Sequence, residues 1–188
     1  MKISRKNALK SLAGTMMGLP ALARSTQPEN KDLLGFKDEF SLAWKSSLDY
    51  TLKIFNQMPE DKFEFKYTPE SFTFRTQFVH CITFTTAQVC GRLNIPNPYD
   101  EKEKQNGFWK SLTKEQLETE LKSFYAWIEK TVLETKPDKL SQMEGYAGDK
   151  IPIWRLFYAL ENHIIHHRGQ AICYLRLNGI TPIGYIGW

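Results

Sequence analysis

Three of the four histidines in this chain of 188 residues fall within one short segment near the C-terminus. If that segment is helical, His163 and His167 lie one turn apart and about 40° apart around the axis, so both imidazoles project from one face. That arrangement suits two ligands of one metal ion, although two neighbouring imidazoles can also be satisfied by hydrogen bonds in a core. His166 lies about 60° to the other side, and we expect it to be partly exposed.

A third ligand would complete a metal site, and His80 is the candidate for it. This histidine lies among apolar residues, where an unpaired imidazole would be unfavourable, in the run Phe78-Val79-His80-Cys81-Ile82. Its position alone leaves two interpretations open: it ligates a metal, or it bonds a carboxylate or a backbone carbonyl of another element. The concentration of histidines favours ligation, because helical bundles commonly build metal sites from side chains on facing helices.

Three neutral imidazoles suit a divalent ion such as zinc or nickel, and they leave at least one coordination position for water or a small-molecule substrate. Such an ion can lower the pKa of bound water to about 7 or activate a substrate thiol as its thiolate. Gln77 and Gln170 lie one turn from ligands and are candidates to hold substrate or orient water, or else to form ordinary interhelical hydrogen bonds. Tyr174 is either a proton donor in the pocket or a core aromatic residue.

A general base is the missing part of this site. Glu161 lies about 160° around the helix from His163, so we expect it to face away from the metal, and no other acid lies on the inward stripe. We expect Arg168 to be turned partly outward and to make an ion pair or a packing contact. Metal-assisted hydrolysis is therefore less well supported than thiol transfer, in which coordination itself deprotonates the thiol.

Four amphipathic segments must position these residues. The first extends from about Lys31 to Gln57, and the second from about Pro69, where Thr68-Pro69-Glu70 supplies an N-cap, a proline and an acid, to Leu93. A capping box, Thr113-Lys114-Glu115-Gln116, opens the third helix. The fourth carries the clustered histidines, opening at Pro152 and ending at Asn178-Gly179.

These segments predict an all-α four-helix bundle, because no stretch shows sustained period-2 alternation bounded by hairpin turns. The loop from Asn94 to Leu112 is long enough to be a crossover connection rather than a tight turn.

The last helix and its tail resemble the DinB-like superfamily of metal-binding four-helix bundles. Its pattern H-x-x-x-H-R-G-Q, then Y-L-R and a G-x-x-P turn, is matched by His163 to Gln170, Tyr174-Leu175-Arg176 and Gly179 to Pro182. The similarity also includes Phe74 to His80, and overall it covers about Lys31 to Pro182.

This resemblance implies that His80, His163 and His167 are the three metal ligands and that the protein forms a homodimer. It further implies a metal-dependent enzyme of the thiol transferase or hydrolase type, with a non-catalytic metal-binding or stress-related bundle protein as the alternative.

The formal net charge of +4 belongs to the N-terminus. Four basic residues and no acid lie in the first 23 residues, so the remainder carries +4 − 4 = 0, and no basic stripe indicates nucleic-acid binding. Residues 1–23 end in an apolar stretch and Ala21-Leu22-Ala23, which predicts a signal peptide with similarity to twin-arginine signals. The apolar stretch is too short to span a bilayer.

The predicted organisation is a signal peptide at 1–23, a linker at 24–30, the bundle at 31–182 and a C-terminal tail at 183–188. Export to the periplasm is expected, with retention in the cytoplasm as the alternative. Export counts against a cytosolic thiol as substrate, because such thiols are scarce where disulfides persist.

Three cysteines, an odd number, form no C-x-x-C motif. We expect Cys81, Cys90 and Cys173 all to be buried, and the sequence does not say which pair would form a disulfide after export.

Overall fold

The computed structural model describes residues 30–186, so the predicted signal peptide lies outside the described residues. Four long helices form the body of this part of the chain: α1 (Asn30–Gln57), α2 (Phe74–Leu93), α5 (Lys114–Glu134) and α7 (Ile153–Leu177). Short elements connect them: a 3₁₀ turn at Glu60–Lys62, α3 (Asp100–Glu103), α4 (Phe108–Ser111), α6 (Pro137–Leu140), and strands β1 (Met143–Tyr146) and β2 (Asp149–Pro152).

Local capping determines where two of the long helices begin. The predicted start of α2 at Pro69 is wrong: the helix begins at Phe74, because the Thr73 side chain accepts a hydrogen bond from the backbone N–H of Thr76. Thr68 instead closes a separate turn with Ser71. The capping box at Thr113 is confirmed and opens α5.

The packing of the helices places α7 between two neighbours. Both α1 and α2 pack against α5 and against α7. Aromatic residues fill the interior, and Trp44 illustrates their fit: its indole N–H donates to the Tyr125 carbonyl at 2.9 Å, and the two rings lie 4.5 Å apart. The prediction of a helical bundle with a long crossover loop is confirmed.

A β-hairpin before α7 corrects the expectation that the chain contains none. β1 and β2 pair antiparallel, and the two residues between them, Ala147 and Gly148, both have positive φ. Arg92 joins the hairpin to α2 by donating to the Gly145 carbonyl through Nε at 3.0 Å and Nη2 at 2.7 Å. The strands have four residues each, too short for a sustained alternation to appear in the sequence.

The cysteines differ from expectation at one position. Cys81 and Cys90 are buried as predicted, but Cys173 is exposed, and all three are free in the described structure. Cys81 and Cys90 are both on α2, about 13 Å apart along the helix axis, which is too far for a disulfide. Cys173 lies on the outer side of α7, between the buried residues Ala171 and Tyr174.

The C-terminal tail continues along α1. The side-chain amide of Gln57 makes two hydrogen bonds to this tail. Its nitrogen donates to the Thr181 carbonyl and its oxygen accepts from the Ile183 N–H, each at 3.0 Å. Among the described residues, no helix is long and apolar enough to cross a membrane.

Candidate metal centre

The three predicted ligands meet between α2 and α7. His80 lies in the middle of α2, His163 and His167 lie one turn apart on α7, and one ring nitrogen of each falls within 4.8 Å of the others. The ring centroids are 4.4 to 5.1 Å apart. Among the described residues no Asp, Glu or Cys joins this cluster.

His166 does not belong to the cluster. Its side chain is exposed, and although its ring centroid lies 5.1 Å from that of His167, its position on α7 directs it away from α2. The structure therefore separates the four histidines as their helical spacing predicts.

The environment keeps the three imidazoles neutral. Burial lowers the pKa of His80, and it lowers the pKa of His163 to about 4 and of His167 to about 3, with the neighbouring histidines as the next cause for the last two. At neutral pH the rings therefore carry the lone pairs that metal coordination requires. His163 and His167 approach most closely, with their Nε2 atoms 3.0 Å apart.

A chain of buried hydrogen bonds extends from His167 to the start of α2. His167 Nδ1 lies 2.6 Å from Gln77 Oε1, and Gln77 Nε2 donates to the Tyr174 hydroxyl at 3.3 Å. The Tyr174 hydroxyl in turn donates to the Phe72 carbonyl at 2.6 Å. Gln77 and Tyr174 thus form interhelical hydrogen bonds, whereas Gln170 is half-buried one turn beyond His167.

Two phenylalanines flank the histidines, and the sequence reasoning missed both. The Phe84 ring centroid lies 4.3 Å from that of His163 and 5.4 Å from that of His80. The Phe72 ring lies 5.2 Å from His80 and 6.2 Å from His167, and 43% of this residue is exposed. The spacing of four between His80 and Phe84 on one helix was the available signal for the first of them.

Arg168 is buried rather than turned partly outward. It is 6% exposed, and its Nη1 donates to the carbonyl and the hydroxyl of Ser47 at 3.2 and 3.1 Å and to the Thr51 hydroxyl at 3.2 Å. Its guanidinium carbon also lies 4.6 Å from the centre of the Tyr50 ring. The expectation was wrong because α7 packs against α1 as well as α2, so its buried arc is wider than one stripe.

Glu161 accompanies Arg168 in the core. It is 2% exposed, and its Oε1 has no hydrogen-bond partner among the described residues. Burial raises the pKa of its carboxyl group, while Arg168 partly offsets that rise. Glu161 is therefore buried, but it is not part of the histidine cluster.

The sequence model of the DinB superfamily matches residues 43–171, a segment that contains all three clustered histidines. The chain therefore belongs to the DinB superfamily. Comparison with curated proteins gives no significant match.

Solved structures show the same fold. A DinB-like protein of Bacillus cereus has a TM-score of 0.64 at 17% identity, covering 79% of this chain and 97% of its own. A DinB-like protein of Bacillus subtilis has a TM-score of 0.59 at 16% identity, covering 78% and 96%. YfiT of Bacillus subtilis, described as a probable metal-dependent hydrolase with an unusual four-helix bundle topology, has a TM-score of 0.52 at 12% identity, covering 88% and 97%.

Proposed function

We propose that this protein binds one divalent metal ion through His80, His163 and His167 and acts as a metal-dependent enzyme. The observation that carries the proposal is the convergence of three neutral imidazoles within 4.8 Å between two facing helices. Two nitrogen ligands of a tetrahedral zinc ion lie about 3.3 Å apart. The 3.0 Å separation of His163 Nε2 and His167 Nε2 is therefore within a few tenths of an ångström of what an ion needs.

The donor set narrows the identity of the ion. Imidazoles are the ligands preferred by borderline divalent ions, so we propose zinc or nickel rather than magnesium or calcium, which require oxygen ligands. When bound at three histidines, such an ion supplies a Lewis acid that lowers the pKa of a coordinated water or thiol.

Of the two reaction types, we propose transfer involving a low-molecular-weight thiol as the better fit. Hydrolysis ordinarily needs a protein base, and the described cluster contains no carboxylate that could take that role. Phe72 and Phe84 instead surround the histidines with apolar surface, which suits an electrophile with an apolar body. Hydrolysis is the second candidate, because the structurally similar YfiT is described as a probable metal-dependent hydrolase.

The experiment begins with purified protein loaded separately with zinc and nickel. Each form is assayed against a panel of thiols with electrophiles and a panel of esters, beside a His80→Ala variant. His166→Ala is the matched control, because it removes a histidine from the same region without removing a clustered ligand. We expect activity in the wild type and in His166→Ala and its loss in His80→Ala.

Other results would redirect the proposal. Activity that survives the loss of His80 would exclude a metal-dependent enzyme at this cluster. A protein that binds metal but turns over neither panel would favour the non-catalytic alternative. A melting temperature unchanged by added zinc or nickel would contradict metal binding itself, since a ligand of the folded state alone must raise it.

Location bears on the choice of substrate. We propose that residues 1–23 direct export, and an exported enzyme would encounter few low-molecular-weight thiols. Cell fractionation of the full chain tests this, with processed protein in the periplasm as the expected result. Full-length protein in the cytoplasm would contradict export and remove this objection to a thiol substrate.

A further inference from the structure

The buried hydrogen-bond chain that ends at His167 has only one consistent direction. A carbonyl can only accept, so the single hydroxyl hydrogen of Tyr174 is donated to the Phe72 carbonyl. Toward Gln77 the same oxygen can therefore only accept, and the amide nitrogen of Gln77 must face it. The orientation of an amide group is inferred from such a network, and this one leaves no alternative.

This direction determines which nitrogen of His167 carries hydrogen. With the Gln77 amide nitrogen committed to Tyr174, its oxygen faces His167 Nδ1 at 2.6 Å and must accept from it. A neutral imidazole has one N–H, so His167 carries it on Nδ1, and the Nε2 lone pair is directed into the cluster. A ligating histidine commonly has its tautomer fixed in this way by the partner of its other nitrogen.

His163 is then in the opposite state. Its Nε2 lies 3.0 Å from the bare Nε2 of His167, so in the metal-free protein the hydrogen between them belongs to His163. The other nitrogen, His163 Nδ1, is buried and has no hydrogen-bond partner among the described residues. The two histidines of α7 are therefore not equivalent, although their spacing on the helix makes them look so.

We propose that Gln77 and Tyr174 are positioning residues that hold His167 ready as an Nε2 ligand, and that of the two histidines of α7 only His163 changes tautomer when metal binds. The hydrogen leaves His163 Nε2, and the lone pair freed there would coordinate the ion. A hydrogen is taken up at Nδ1, so the net charge of the ring does not change. The change of tautomer at His163 rests on the proposed metal site. The tautomers of the metal-free protein follow from the hydrogen bonds alone.

The direct test is nitrogen NMR of protein labelled with ¹⁵N-histidine, freed of metal by a chelator and held at neutral pH. The chain has only four histidines, so single-histidine variants assign the signals. We expect hydrogen on Nδ1 of His167 and on Nε2 of His163. After addition of zinc, we expect the spectrum to show the hydrogen of His163 on Nδ1 instead of Nε2, while that of His167 stays on Nδ1. Hydrogen on Nε2 of His167 in the metal-free protein would overturn the proposal.

Variants test the role of the two positioning residues. Tyr174→Phe removes the acceptor that orients the Gln77 amide, so we expect a mixture of His167 tautomers and a loss in zinc affinity of about 10- to 100-fold. Tyr125→Phe is the matched control: its hydroxyl is also buried, but it bonds Thr51 and Ser47 rather than the chain to His167. An equal effect of the two variants on zinc affinity and on the His167 tautomer would contradict a positioning role.

A conservative variant separates hydrogen bonding from packing. Gln77→Glu retains an acceptor for His167 Nδ1 and should retain its tautomer, whereas Gln77→Leu should not. If Tyr174→Phe proves unstable, the wild-type tautomers and the Gln77 pair still decide the question. Failure of the wild type to bind zinc would refute the proposed metal site, whereas zinc binding with a randomised His167 tautomer would refute only the positioning.

Discussion

His167 and Arg168 are neighbours in sequence, yet they face different helices and different chemistry. His167 faces α2, where it joins two other neutral imidazoles beside phenylalanine rings. Arg168 faces α1, where its guanidinium donates to Ser47 and Thr51 and lies over the Tyr50 ring. One side of α7 thus presents imidazole lone pairs, and the other presents a cation that is hydrogen-bonded to α1 through Nη1.

This difference separates a candidate site from a structural cluster. A buried polar group that serves the fold usually has protein partners, as Nη1 of Arg168 has. The histidine cluster instead brings two ring nitrogens, Nε2 of His163 and Nε2 of His167, within 3.0 Å of each other, with His80 beside them. We therefore expect substitutions on the α1 side of α7 to change stability and those on the α2 side to change metal binding.

The largest effect is expected from Arg168→Met. It would remove the cation that offsets the burial of the Glu161 carboxyl group and one of the donors to the Ser47 and Thr51 hydroxyls, so we expect the free energy of unfolding to fall by about 3 to 5 kcal/mol. Urea denaturation of metal-free protein measures this. Zinc affinity, measured where the variant remains folded, should change less than tenfold, and a larger loss would break the distinction between the two sides.

His80→Ala should produce the converse result. Loss of a partner behind a ligand commonly weakens metal binding about 10- to 100-fold, so loss of the ligand itself should exceed about 100-fold. Competition against a chromophoric chelator gives the zinc affinity. The metal-free variant should unfold within about 1 kcal/mol of the wild type, because His80 is only half-buried.

Acid should destabilise the metal-free protein through the histidine side. The pKa values of His163 and His167 are lowered to about 4 and about 3 in the folded chain, so between about pH 6.5 and 3 the unfolded chain binds more protons. Their contribution to the free energy of unfolding is therefore present at neutral pH and falls as pH falls through that window. The melting temperature of the wild type should fall more steeply with decreasing pH than that of His163→Gln. Equal slopes in the two proteins would exclude this contribution.

Glu161→Gln should have the smallest effect and the opposite dependence on pH. Because burial raises the carboxyl pKa in the folded chain, the folded form is favoured at low pH and loses stability as pH rises through that raised value. We expect the amide to stabilise the protein at pH 8 by about 1 kcal/mol and to have less effect at pH 5. A destabilised variant at pH 8 would show that the charged carboxylate is needed beside Arg168.

The histidine cluster was largely predictable because helical geometry fixes the relation of His163 to His167. The sequence left His80 open between ligation and an ordinary hydrogen bond, and only the packing of α2 on α7 brings it to the other two. The direction of the chain through Gln77 and Tyr174 could not be predicted, because it depends on the Phe72 carbonyl, a group that no side-chain pattern reveals.

The fold was predictable where capping signals were unambiguous. The capping box at Thr113 gave the start of α5, but Thr68 and Thr73 are both suitable caps, and only the structure shows that Thr73 opens α2. Arg168 was misplaced because the inward stripe was assigned to one neighbour, whereas α7 has two. The hairpin was missed because four-residue strands give too few positions for a period to be recognised.

The central claim, that three histidines hold one metal ion, is tested most directly by elemental analysis of protein isolated from its natural compartment. Wild-type protein should contain close to one equivalent of zinc or nickel, and a variant with His80, His163 and His167 all replaced by alanine should contain none. A metal-free wild type that also binds neither ion on titration, or a triple variant that retains its metal, would contradict the account.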